Sequence, residues 1–119
     1  MSLLRSFGFA LEGISYLIRT QRSAQIEIVI GAIVIAVAAW LGASALEWAV
    51  LVLATALVLA LEALNTAIEL IVTLASPERH PLAKAAKDVG AAMVLIAAIG
   101  AVVVGVIVLG QRVARILVH

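Results

Sequence analysis

The stretch VGAAMVLIAAIGAVVVGVIVL, residues 89–109, decides the fold of this chain because it is twenty-one residues long and contains no charge. A bilayer core of about 30 Å is crossed by about 20 helical residues. The rest of the sequence agrees, since 66% of its 119 residues are hydrophobic and only 13% are charged. A chain this short has too little interior to bury that much apolar surface away from water. The sequence therefore predicts an integral membrane protein.

Two further apolar runs precede this stretch, and each is long enough to cross a membrane. The first carries no charge from Ile28 onward, and the second is apolar between Trp48 and Leu61 apart from one threonine. The expected fold is an all-α membrane protein that forms a single domain over residues 1–119. Its three transmembrane helices are predicted at residues 23–41, 46–74 and 86–109.

The basic residues indicate how these spans are oriented. Six of the eight lie in two clusters, one before the first span and one between the second and third: Arg5, Arg19, Arg22, Arg79, Lys84 and Lys87. Because basic residues concentrate on the cytoplasmic side of membrane proteins, both clusters are expected in the cytoplasm. Arg112 and Arg115 near the C-terminus count against this orientation, but they are outnumbered. The turn between Trp40 and Trp48 then faces outward, with a tryptophan on each side of it.

The N-terminal segment, residues 3–20, has the pattern of an amphipathic helix. Its apolar residues recur at spacings of three or four, and charged or small residues recur on another face. The apolar positions are Leu3, Phe7, Leu11, Ile14 and Ile18. The segment is too charged to cross a bilayer, so we expect it to lie along the cytoplasmic membrane surface.

The composition also excludes several classes of function. The chain has no cysteine, which excludes disulfides, thiolate metal sites and cysteine nucleophiles. No basic run interleaved with aromatic residues indicates nucleic acid as a partner. Neither of the common glycine-rich phosphate-binding motifs occurs.

The second span contains a polar motif, EALNTAIE at residues 62–69, that is unusual inside a membrane. A carboxylate at mid-bilayer costs roughly 2.5–3.5 kcal/mol on insertion scales, and such a residue is by default a functional candidate. Counting from Trp48 at 1.5 Å per residue puts Glu62 ~21 Å deep and Glu69 ~31 Å deep, near the cytoplasmic boundary. At ~100° per residue, both glutamates and Asn65 project from one face. Alternatively, Asn65 only joins two helices by a hydrogen bond, and the glutamates are neutral and buried.

A second charged cluster can meet this face. Lys87 and Asp88 lie at the cytoplasmic entrance of the third span, level with Glu69 on the antiparallel second span. Glu27, at the start of the first span, is expected to complete a ring of charge at this depth. Lys84 is more typical of a lysine that extends to the lipid headgroups and sets topology.

These side chains are the groups that phosphoryl transfer needs. Carboxylates hold a divalent ion, a cation binds the phosphates, and a base accepts the proton of the attacking hydroxyl. The residues alone leave a proton-coupled carrier open as the alternative, because an acidic residue that titrates within the bilayer serves that function as well.

The motif at 62–69, together with SPERHPLAKAAKD at 76–88, closely resembles the prokaryotic diacylglycerol kinase family, which includes undecaprenol kinases. The resemblance covers nearly the whole chain. It implies a homotrimer in the bacterial inner membrane, with active sites that are shared between subunits and face the cytoplasm. The substrates it implies are a lipid alcohol, undecaprenol or diacylglycerol, and ATP used with a divalent cation, usually Mg²⁺. Residues 19–27 look closer to the undecaprenol kinases.

The resemblance also assigns roles to individual residues by position. Glu62 is expected to be the base on the lipid hydroxyl, and Asn65 to position the reacting groups. Glu69 is expected to ligate the metal on the nucleotide. Lys87 is expected to contact the phosphates, and Asp88 to support that cluster.

Two positions depart from the family pattern. Where the family commonly has a glutamate that shares the metal, this chain has Gln21, which offers a carbonyl oxygen but no negative charge. Thr73 replaces an aspartate that many members have four residues after the last glutamate of the motif. Both departures favour the alternative of a weakened or non-catalytic member that acts as a membrane scaffold or small proton-coupled carrier.

Overall fold

The computed structural model describes residues 2–118, and this part of the chain contains four helices and no strand. The helices are α1 (Leu3–Thr20), α2 (Arg22–Leu41), α3 (Ala45–Ala75) and α4 (Pro81–Val118). By length and composition, α2, α3 and α4 are able to cross a membrane. This confirms the expected all-α membrane fold with three spans preceded by one shorter helix.

Local sequence signals explain where the helices begin and end. Gln21, in an extended conformation, separates α1 from α2. Gly42 ends α2 with a φ of 73°, a left-handed conformation that glycine adopts without steric cost. Ser44 and Glu47 then form a capping box at the start of α3, with the Ser44 N–H donating to Glu47 Oε1 at 2.9 Å. Pro81 is the first residue of α4, a position where its missing N–H is not needed.

The helices α3 and α4 are longer than the expected spans. α3 contains 31 residues and α4 contains 38, which correspond to about 46 Å and 57 Å of helix. A bilayer core is about 30 Å thick, so α4 extends beyond the hydrocarbon on both sides of the predicted span at 86–109. The apolar run marks the part of a helix that lies in lipid, whereas the helix itself continues until a capping or breaking residue ends it.

Two close approaches between helices fix how the bundle packs. α3 and α4 form the most extensive pair, and α2 packs against both. A Cβ atom added at Gly31 of α2 would lie 2.9 Å from Thr55 Cγ2 of α3, and one added at Gly90 of α4 would overlap Asn65 Oδ1. Small residues at such points let helix backbones approach each other in a membrane.

The distribution of polarity is the reverse of that in a soluble protein. Large apolar side chains on all three spans are exposed, among them Leu53, Leu74 and Ile96. Among the described residues, the buried polar side chains are Glu62, Asn65 and Thr66. The bundle therefore presents its apolar surface to lipid and turns one polar segment of α3 inward.

An ion pair joins α3 and α4 at the end of the bundle opposite the 76–80 loop. Arg112 Nε donates to Glu47 Oε1 at 2.8 Å, and its terminal guanidinium nitrogen contacts the same oxygen. The two side chains are only 22% and 16% exposed. The charge of Arg112, which counted against the expected orientation, is thus neutralised by Glu47.

Candidate active site

The polar face predicted on the second span exists and is turned into the bundle. Glu62 is 4% exposed, Asn65 is 8% exposed, and Glu69 is half-buried. The hydroxyl of the neighbouring Thr66 donates to the Glu62 carbonyl at 2.9 Å, which satisfies that hydroxyl within the helix. Two turns of α3 therefore carry two carboxylates and an amide on the side away from lipid.

Asn65 is hydrogen-bonded at only one end of its amide. Its Nδ2 donates to Glu69 Oε1 at 3.5 Å, a long hydrogen bond along the same helix. Its Oδ1 is buried and has no hydrogen-bond donor among the described residues. An unsatisfied buried acceptor costs about 1–3 kcal/mol. Asn65 thus forms no hydrogen bond from α3 to α4, contrary to the alternative that it only joins two helices.

Glu27 lies beside Glu62, across the interface between α2 and α3. One oxygen of Glu27, Oε2, is buried without a partner among the described residues. The expectation that Glu27 completes a ring of charge level with Glu69 was wrong, because the antiparallel packing of α2 on α3 brings it two turns deeper, to Glu62. Two carboxyl groups this close favour a ligand that supplies hydrogen-bond donors or positive charge.

The remaining candidates lie at the loop end of the bundle. Lys87 and Asp88 are exposed on the first turns of α4, and with the loop residues Ser76 to His80 they line an open cavity of about 660 Å³. Asp88 Oδ2 is paired with Lys84 Nζ at 2.7 Å, with both side chains largely exposed. Lys84, expected only to set topology, is therefore the cation that Asp88 contacts.

The register of α3 on α4 relates this cluster to the polar face. Because Asn65 lies against Gly90, Lys87 and Asp88 fall within about one helical turn of the level of Glu69. The structure therefore groups the candidates into an inner set, Glu27 with Glu62, and an outer set near the loop.

No hydrogen bond among the described residues joins Gln21 to the other candidate residues. Gln21 lies at the break between α1 and α2, where its Nε2 donates to Thr20 Oγ1 at 3.1 Å. Within residues 2–118, no hydrogen bond joins Gln21 to Glu69. Thr73, the other departure from the family pattern, is exposed on α3.

An apolar cleft of about 440 Å³ opens between α2, α3 and α4 beside the inner carboxylates. Its lining is apolar apart from Glu27 and Thr55. Leu51 and Val58 of α3 form part of one wall, and Ala98 and Val106 of α4 form part of another. The cleft therefore joins a space suited to a hydrocarbon chain to a carboxyl group.

The described residues do not form a metal site by themselves. Residues 2–118 contain no group of three or more His, Cys, Asp or Glu side chains able to hold an ion. Mg²⁺, however, is usually bound by one or two carboxylates together with the phosphates of a substrate. The half-buried Glu69, oriented by the Asn65 amide nitrogen, fits an ion that arrives with a phosphate-bearing ligand.

The buried Glu62, the apolar cleft beside Glu27 and the charged cluster near the 76–80 loop are features of an enzyme embedded in a membrane. The sequence profile of prokaryotic diacylglycerol kinase matches residues 8–109. The chain belongs to this family of membrane lipid kinases.

Named relatives agree with this assignment. A diacylglycerol kinase of Synechocystis is 48% identical over 105 residues, which cover 87% of this chain and 60% of the relative. The undecaprenol kinase of Bacillus subtilis is 36% identical over 87% of this chain and 85% of its own length. A diacylglycerol kinase of Escherichia coli is 33% identical over 90% of this chain and 88% of its own length. The chain thus spans about 60% of the Synechocystis protein and most of the other two.

Two features of the site were not predicted from the sequence. The partner of Glu27 was predicted wrongly, because one sequence does not show the register of α2 along α3. Gly90 was not singled out at all. The available signal was its position three residues after Lys87, which puts the two on the same side of α4.

Proposed function

We propose that this protein transfers the γ-phosphoryl group of ATP to the hydroxyl of a membrane lipid, undecaprenol or diacylglycerol. The observation that carries the proposal is the almost fully buried Glu62, which lies two turns from Glu69 and beside Glu27, a residue that lines the apolar cleft. In the transfer, the lipid oxygen forms a bond to the γ-phosphorus and the bond to the bridging oxygen of ADP breaks. The lipid hydroxyl gives its proton to the base, and ADP leaves with the bridging oxygen.

Glu62 is the proposed base. A general base has to lie within hydrogen-bond reach of the proton that it accepts, and the lining of the cleft leads to Glu27 beside Glu62. A lipid whose chain occupies the cleft presents its hydroxyl to this pair of carboxyl groups. The unpaired Oε2 of Glu27 offers a second acceptor for that hydroxyl.

The outer set is the proposed nucleotide site. Glu69 and, from a position that the family pattern assigns, Gln21 would hold Mg²⁺ together with the nucleotide. Lys87 would contact the phosphates, and Asp88, already paired with Lys84, would orient that cluster. The ion supplies charge stabilisation for the transferring phosphoryl group. Asn65 lies between the two sets and is suited to align them.

A homotrimer with shared active sites completes the proposal. In one chain, Lys87 and Asp88 are exposed and the cavity that they line at the 76–80 loop is open, so a single subunit does not enclose a nucleotide. A neighbouring copy would close the site. With the 76–80 loop in the cytoplasm of a bacterium, the outer set faces the compartment that contains ATP, and the protein resides in the inner membrane.

The test is phosphate transfer by the purified protein in lipid bilayers that contain either undecaprenol or diacylglycerol, with radiolabelled ATP and Mg²⁺. Labelled lipid is expected with at least one of the two alcohols, and the preferred alcohol identifies the substrate. The Bacillus subtilis undecaprenol kinase and the Escherichia coli diacylglycerol kinase serve as positive controls. No labelled lipid with either alcohol, where the matching control is active, would overturn the proposal.

The alternative, a non-catalytic scaffold or proton-coupled carrier, is not favoured by the relatives, which are named as kinases. Titration calorimetry with Mg²⁺ and a non-hydrolysable ATP analogue separates the two. A kinase is expected to bind the analogue only when the metal is present, whereas a scaffold or carrier is expected to release no heat.

A further inference from the structure

Gly90 differs from the other glycines of α4 in what surrounds it. A Cβ atom added at Gly100, Gly105 or Gly110 would meet nothing within 4 Å outside the local helix backbone. At Gly90 it would overlap Asn65 Oδ1 and would lie 3.4 Å from Asn65 Cγ. Glycine is less favourable than alanine inside a helix, so its presence at this contact indicates that a methyl group does not fit there.

The orientation of the Asn65 amide explains why a methyl group does not fit at position 90. Its Nδ2 donates to Glu69 Oε1, so its oxygen has to point the other way, toward α4. There it meets the Cα–H of Gly90, a weak donor of the kind that recurs between closely packed helices. No N–H or O–H donor among the described residues competes for this oxygen.

We infer that Gly90 is a positioning residue, which leaves space for Asn65 Oδ1 and thereby holds the Asn65 amide on Glu69. The inference deepens the proposed function and rests on it for the role of Glu69 as a metal ligand. The placement of Asn65 by Gly90 does not depend on catalysis and is measurable without it.

A methyl group at position 90 has a defined consequence. The atom that it overlaps is the end of a flexible side chain and not backbone. Asn65 can therefore rotate while α3 and α4 keep their packing, and its amide then leaves Glu69. Gly90→Ala is expected to fold but to lose the orientation of the amide.

Asn65 is the only asparagine in the sequence, which gives a direct measurement. Selective labelling with [¹⁵N]asparagine in detergent micelles yields one side-chain amide signal in a ¹⁵N–¹H spectrum. Gly90→Ala is expected to shift that signal and to speed its hydrogen exchange. Gly100→Ala, on the same helix with nothing near the added methyl group, is expected to leave it unchanged. An unchanged signal in folded Gly90→Ala would overturn the inference.

The Mg²⁺ dependence of phosphate transfer gives the second measurement. Losing a partner that orients a metal ligand typically weakens metal affinity about 10–100-fold, so Gly90→Ala should raise the half-saturating Mg²⁺ concentration about 10-fold. A purely structural role would lower kcat and leave that concentration unchanged, and this result would also contradict the inference. Absence of transfer by the wild-type protein would instead contradict the proposed function, while the amide signal would still report on Gly90.

A double variant tests the inference if Gly90→Ala does not fold. Asn65→Ser shortens the overlapping side chain, so Asn65→Ser/Gly90→Ala is expected to recover folding, as judged by circular dichroism and elution as a single species. If the double variant also fails to fold, the methyl group clashes with something other than Asn65, and the inference is wrong.

Discussion

The two ends of the α3–α4 pair differ in how the buried polar side chains are hydrogen-bonded. At one end, Glu47 Oε1 accepts hydrogen bonds from the Arg112 guanidinium and from the Ser44 N–H, so its negative charge is paired within the protein. At the other end, Glu27 Oε2 and Asn65 Oδ1 are buried without partners among the described residues, beside the buried Glu62. Both ends bury most of an acidic side chain of α3, but only the Glu62 end has buried polar atoms, on Glu27 and Asn65, without a partner among the described residues.

This difference separates stability from function within one helix. Buried polar groups in native proteins are almost always hydrogen-bonded, and the exceptions call for an explanation. At the Glu47 end, the pair fixes one helix on the other. At the Glu62 end, the unsatisfied groups reduce stability, and Glu27 Oε2 is left as an acceptor for the hydroxyl of a ligand. Variants at the two ends are therefore expected to affect different measurements.

The largest effect is expected for Glu62→Gln. This change keeps the size of the side chain but removes its ability to accept a proton, and positioned general bases typically contribute 10²- to 10⁴-fold. Phosphate transfer to lipid should fall by about 10²-fold or more, with the unfolding temperature in detergent unchanged or higher. Activity within threefold of the wild-type protein would remove Glu62 from the role of base.

Asn65→Ala is expected to have the next largest effect. It removes the orienting hydrogen bond on Glu69, so the half-saturating Mg²⁺ concentration should rise about 10-fold. It also removes the unsatisfied Oδ1, so stability should fall less than for a typical buried polar residue. A large loss of stability with unchanged Mg²⁺ dependence would show instead that Asn65 serves packing.

At the opposite end, Glu47→Gln and Arg112→Gln should act on stability alone. Each removes one charge of the ion pair, so each should lower the unfolding temperature by several degrees, and the double variant should lower it by less than the two single effects combined. Glutamine at 47 can still accept from the Ser44 N–H, so helix capping is retained. Turnover per folded molecule should stay within twofold, and a tenfold loss would mean that this end contributes to catalysis.

The smallest effect is expected for Lys84→Ala. The ion pair with Asp88 is largely exposed, and exposed pairs contribute little to stability. The unfolding temperature should not change measurably, and kcat should stay within twofold, with any effect confined to the KM for ATP. A loss of activity as large as that of Asn65→Ala would make Lys84 itself a phosphate-binding residue.

The sequence predicts the spans and the inward polar face because both follow from one-dimensional periodicity. Twenty-one uncharged residues demand a bilayer, and spacings of three and four put Glu62, Asn65 and Glu69 on one side of a helix. The helix ends were less predictable, because α4 begins at Pro81, before the apolar run, and extends past the run to Val118, the last described residue.

The partners across helices could not be predicted in the same way. The sequence does not show the register of α2 along α3, so Glu27 was expected level with Glu69 and lies beside Glu62. Similarly, the pairing of Glu47 with Arg112 joins residues 65 positions apart, and the contact of Asn65 with Gly90 depends on the register of two helices. Each of these contacts is a property of packing and not of spacing.

The Glu47–Arg112 ion pair also has a mechanical consequence. It ties α3 to α4 by charged hydrogen bonds at one end, whereas at Asn65 the two helices meet only through the close approach of Gly90, so the Glu47 end is the more firmly joined of the two. The segment of α4 from Arg112 to Gly90 is 22 residues long, or about 33 Å. A change of about 5° in the angle between the helices therefore displaces Gly90 from Asn65 by about 3 Å, the thickness of a water molecule.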